Sequence, residues 1–130
     1  MYDLMGTIKN QANANATLSA RVNSDVWFDT APPGTTMPYV VYYNIADAPV
    51  RCLAKSADMV EANIQFSIFD KNSHSLVELI ASDLAVVFDR KTVLYSTETH
   101  ISCEAMGGTG PTRLDDCWMR TIDYLFRYQE

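Results

Sequence analysis

Apolar and polar residues alternate with a period of two along Met59–Asp70, where Val60, Ala62, Ile64, Phe66 and Ile68 stand against Glu61, Asn63, Gln65, Ser67 and Phe69. That period predicts a strand with one core face and one wet face, as in an antiparallel sheet covered on one side. The period then changes. From Ser73 to Asp89, Leu76, Leu79, Ile80, Leu84, Val87 and Phe88 recur at three- and four-residue steps. This predicts a helix, capped by Ser73 or Asn72, that lies on the apolar face of the sheet. From Cys117 to Tyr128 the alternation returns, with Ile122, Tyr124, Phe126 and Tyr128 on one side of a terminal strand.

The remaining segments follow the same two periods. Leu4, Met5, Ile8, Ala12, Ala16 and Ala20 form one stripe of a helix predicted over Tyr2–Ala20. Val26-Trp27-Phe28 reads as a short edge strand entering a loop at Thr30-Ala31-Pro32-Pro33-Gly34, whose prolines and glycine cannot continue a ladder. Tyr39–Ile45 is rich in β-branched and aromatic residues on both faces and predicts a central strand, with Ala46–Pro49 as its turn. Val93–Met106 supplies a further strand, which Gly107-Gly108-Thr109-Gly110-Pro111 is expected to break. The order α-β-β-β-α-β-β predicts an α+β fold in one domain: a single antiparallel or mixed β-sheet of about five strands, an N-terminal helix, and one long helix packed on a face.

Composition narrows the picture. The chain has 130 residues, 48% of them apolar, enough for one continuous core. No apolar run approaches the roughly 18 to 20 residues of a membrane-spanning helix. Met1–Lys9 lacks the charged and apolar regions of a secretory signal, so a cytoplasmic origin is expected. Cys52, Cys103 and Cys117 are too few for a disulfide framework and read as reduced, buried small residues. Sixteen carboxylates against ten basic groups give a formal charge of −6, which disfavours tight nucleic-acid binding but suits a surface that DNA slips past.

Candidate chemistry is sparse. The glycines at 107, 108 and 110 are followed by Pro111-Thr112-Arg113 where a phosphate-binding loop needs Lys-Ser/Thr, so they read as a connection between strands. The adjacent Asp115 and Asp116 would diverge and read as solvated loop carboxylates. His74 and His100 have no partnered nucleophile and no metal-like spacing. Tyr39, Tyr42, Tyr43, Trp27 and Trp118 sit among Val and Ile with no basic groove, so they read as core and protein-interface packing and not as a base-stacking platform. No catalytic, cofactor-binding or metal-binding residue is assigned.

Pro32-Pro33, then Met37-Pro38-Tyr39-Val40-Val41-Tyr42 and Ala48-Pro49-Val50-Arg51, resemble the signature region of the phage tail-completion family of tail-terminator proteins. The strand opening at Glu61, the helix Leu76–Phe88 and the closing strand Trp118–Tyr128 after a Gly-rich segment follow the same order. The resemblance implies a non-enzymatic, cofactor-free virion protein of a tailed phage, assembled in the host cytoplasm. It implies a homo-hexameric ring that caps the tail tube protein and joins it to the head-tail connector, DNA passing through without specific binding and no membrane involved. By analogy, partner contacts are expected at Pro32, Pro33, Arg51, Gly107, Gly108, Gly110, Arg113, Asp115 and Asp116. Two other readings stay open: a head-closure or neck subunit of the connector, and a small-molecule-binding or enzymatic α+β domain.

Overall fold

The alternating segment forms a strand residue for residue as predicted, Met59–Asp70, and the whole sheet is organised around it. The computed structural model describes residues 4–50, 59–89, 91–94, 100–114 and 116–129. In chain order the elements are α1 (Leu4–Ala14), α2 (Ala16–Val22), β1 (Val26–Phe28), β2 (Tyr39–Val50), β3 (Met59–Asp70), α3 (His74–Phe88), β4 (Lys91–Leu94), β5 (His100–Arg113) and β6 (Trp118–Gln129). The strands make one mixed sheet in the order β1-β2-β3-β6-β5-β4. β1 runs parallel to β2 and every other pairing is antiparallel. The fold class is α+β, as the periodicities predict.

One face of the sheet carries the core. Val40 and Tyr42 of β2, Ala62, Ile64, Phe66 and Ile68 of β3, and Ile122, Tyr124 and Phe126 of β6 are buried together. They meet Val77, Ile80, Ala81, Leu84 and Phe88 of α3, and Ile8, Ala12, Leu18 and Val22 of the N-terminal helices. Aromatic rings form the centre: Phe66 lies 5.6 Å from Tyr42, 5.3 Å from Phe88 and 5.5 Å from Tyr124. The α3 stripe is rotated slightly from the expected one. Val77 and Ala81 join it, Leu76 and Val87 pack at its margin, and Leu79 is 46% exposed. The side chain of Val60 lies outside the described residues.

Four expectations need correction. The N-terminal segment is two helices, because the Asn15 side chain accepts a hydrogen bond from Leu18 N–H and caps a second helix. Capping resets the helical phase, so Leu18 and Val22 become the buried positions while Ala16 and Ala20 face outward. Ala46–Pro49 does not turn but continues β2 opposite β3, with a bulge at Ile45. Gly107–Pro111 does not break β5 either: Gly107, Gly108 and Thr109 pair with Asp123, Ile122 and Thr121 between two register shifts. Both exceptions share a cause. Among the described residues β1 pairs with β2 only as far as Tyr42, and β4 with β5 only over His100–Cys103, so these stretches are sheet edges. Edges tolerate proline, glycine and bulges because no neighbouring ladder is lost. Finally, the segment expected as one strand over Val93–Met106 is two, β4 and β5, paired with each other, which brings the sheet to six strands.

Candidate functional site

The chain ends of the sheet bring the interstrand connections together. Tyr39 opens β2 opposite Phe69 near the end of β3, and Phe69 lies opposite Met119 near the start of β6. The β1–β2 connection, the β3–α3 turn and the β5–β6 turn therefore share one end of the molecule. Asp70 is buried there, and its carboxylate accepts hydrogen bonds from Asn72 N–H at 3.3 Å and Ser73 N–H at 2.8 Å. Ser73 then caps α3 by accepting from Leu76 N–H at 3.2 Å. The Arg113 guanidinium donates to the Lys71 carbonyl at 3.1 Å and lies over the Trp118 ring at 5.8 Å, which fastens the two turns to each other.

The β1–β2 connection is shaped by its prolines. The Thr35 N–H and hydroxyl both donate to the Pro32 carbonyl, Gly34 takes a positive φ of 85°, and the Met37–Pro38 bond is cis. Thr36 and Met37 border a cleft of about 480 Å³ with Asp70, Lys71, Asn72 and Asp116. Asp29, Thr30 and Ala31 lie instead over the helix-free face of the sheet, beside Tyr39, Val41, Tyr43, Phe69 and Met119 around a space of about 470 Å³.

The structure thus gathers Arg113 and Asp116 of the expected contact residues at one end, with Pro32 and Pro33 exposed on the adjoining connection. Gly107, Gly108 and Gly110 are exposed farther along the β5 edge. Arg51 and Asp115 lie outside the described residues. The aromatic end of the helix-free face is a feature the sequence reading missed. Its sequence signal is Phe69, an apolar residue on the otherwise polar stretch Glu61–Ser67 of the wet side of β3.

Ion pairs and burial set the electrostatics of the two sheet faces. On the helix-free face Arg127 pairs with Glu61 at 2.8 Å and Glu104 at 3.4 Å, and its pKa is raised, chiefly by the hydrogen bond it donates to Glu61. Tyr43 donates to Gln65 at 2.5 Å. Burial raises the pKa of Cys103, and Asp89 adds to it; burial and then Asp116 do the same for Cys117, so both buried thiols stay protonated. His74 stacks edge-on against Trp118 at 5.3 Å and is exposed. Among the described residues no three His, Cys, Asp or Glu side chains come together as a metal site would require.

The arrangement has a counterpart among solved structures. Its fold is that of a chain from a gene transfer agent virion. The match, to a structure titled "Virion of native gene transfer agent (GTA) particle", has a TM-score of 0.72 at 20% identity and covers 97% of this chain and 92% of the other. A second solved chain matches over 97% of this chain and 95% of its own length, with a TM-score of 0.61 at 15% identity. No protein-family model and no curated protein sequence matches the chain.

Proposed function

We propose that this chain is a non-enzymatic structural subunit of a tailed-phage-like particle, a one-domain tail-terminator or tail-completion protein. In this reading it forms a homo-hexameric ring that caps the tail tube and joins it to the head connector. The observation that carries it is the likeness, over nearly the full length of both chains, to a chain of a gene transfer agent virion. The Pro32-Pro33 to Arg51 resemblance supports the finer role. So does the gathering of three connections at one end of the sheet, since rigid strands that present clustered loops suit docking to a partner. Pro32, Pro33, Arg113 and Asp116 are the residues of that end proposed to meet the tube or the connector, with Arg51, Asp115 and the three β5 glycines as further candidates.

Charge fits passage of DNA. The net charge of −6 provides no excess cation for phosphate, and Arg127 is committed to two carboxylates. The test is negative-stain microscopy and light scattering on the purified protein, followed by addition to purified tail tubes or to portal-bearing heads. Hexameric rings with a hole of duplex width that bind tube ends support a terminator. Rings that bind heads and ignore tubes identify a head-closure subunit instead. A protein that remains monomeric at high concentration, or that retards duplex DNA in a gel at physiological salt, overturns the reading.

A further inference from the structure

Phe28 ends β1, the outermost strand on one flank of the sheet. Period two places it on the same face as buried Val26, and its ring packs on Tyr42 at 5.7 Å, yet it is 49% exposed. It is the uncovered end of an aromatic row that runs through Tyr42 and Phe66 to Phe88. Asp29 follows it, exposed and held in a left-handed conformation at φ 71°.

The opposite flank carries a matching recess. Between α3 and the sheet, beside β5, a cleft of about 220 Å³ is walled by Ala81 and Ala85 on one side and Ala105 and Ile122 on the other. An apolar cavity of roughly 150 Å³ is enough to hold a benzene ring, so this one admits a phenyl group. The ion pair between Arg120 and Glu78 closes one end, and Arg120 Nε is buried there without a hydrogen-bond partner. Met106 and Val86, next to Ala105 and Ala85 in sequence, add exposed apolar surface.

A closed ring is built from heterologous contacts, in which each subunit presents two different, complementary patches on opposite flanks. We propose that Phe28 of one copy seats in the α3–β5 cleft of the next copy. The occupant is a second copy of this chain because the knob and the recess are on the same sheet face at opposite edges, where a closed ring needs its two complementary patches, and exposed apolar surface stands at both, Phe28 at one and Met106 and Val86 at the other. This inference rests on the ring reading above and specifies how the ring closes.

The experiment uses Phe28→Glu to remove the knob and Ala85→Arg to fill the recess, both at positions that circular dichroism and thermal melts can show to leave the fold intact. Wild-type protein should form rings, and each variant alone should lose at least tenfold of its assembled fraction at equal concentration. An equimolar mixture should recover one intact contact per pair and give a 1:1 dimer by light scattering, with no rings. Should wild type form rings while both variants also do, the contact is elsewhere and the proposal falls although the ring reading stands. Wild type that never assembles overturns both.

Discussion

Phe66→Ala tests the architecture at its centre. Phe66 has no exposed surface and is surrounded by Tyr42, Phe88 and Tyr124, with ring centroids between 5.3 and 5.6 Å away. Large-to-small changes at such sites cost about 3–5 kcal/mol, and the value rises with the cavity left behind. The neighbouring rings are rigid and anchored on β2, α3 and β6, three separate elements, so the space cannot collapse easily. We therefore expect about 4–5 kcal/mol. For a chain of this size that lowers Tm by about 12–20 °C, at roughly 3–4 °C per kcal/mol. The assay is urea unfolding and thermal melting at one fixed subunit concentration, because assembly would otherwise add a mass-action term. Phe69→Ala is the control: Phe69 lies on the other face, half-buried against Tyr39 at 5.2 Å, and should cost about 1–2 kcal/mol. A Phe66→Ala protein that melts within about 3 °C of wild type, or above the Phe69→Ala protein, refutes the assignment of faces.

Three other outcomes follow from local geometry. A Cβ at Gly108 would lie 2.1 Å from the Thr121 carbonyl oxygen, so Gly108→Ala should force β5 off β6 at a cost of about 2–3 kcal/mol, with faster hydrogen exchange along Thr109 and Thr121. Wild-type exchange there would show that the close pairing does not exist. Asn15→Ala removes the cap of α2 and should cost about 1 kcal/mol in urea unfolding, with no loss if Leu18 N–H is satisfied otherwise. The Cys103 thiol, held protonated by burial, should resist thiol reagents in the folded protein; because its pKa is raised on folding, stability should fall as pH climbs past the ordinary thiol range near about 8.5, and Cys103→Ala should flatten that alkaline limb.

Local pattern was enough wherever one rule governed a whole element. β3 and α3 were legible because a continuous period of two, then of three to four, leaves one consistent apolar face, and Ser73 marks the change between them. Where two rules competed, the sequence reading followed the wrong one. Asn15 carries no mark that distinguishes a polar helix residue from a cap, and Pro49 and Gly107–Pro111 look like strand breakers unless the strand is known to lie on an edge. The candidate site shows the same limit. Pro32, Pro33 and Asp116 were identifiable as loop residues, whereas Arg113, expected in a loop, ends β5, and their gathering around one end of the sheet depends on the order β1-β2-β3-β6-β5-β4.

What the sequence determined alone is the α+β class, the elements β3, α3 and β6, and the face that each of these buries, since these depend on hydrophobic periodicity within single segments. Strand order, edges and flanks belong to the tertiary structure, because they are set by pairings between residues far apart in the chain, such as Glu61 with Arg127 and Phe66 with Ile122. Those pairings decide that Phe28 is left exposed at one edge, that small side chains open a cleft near the other, and that proline and glycine are tolerated where a central strand would exclude them.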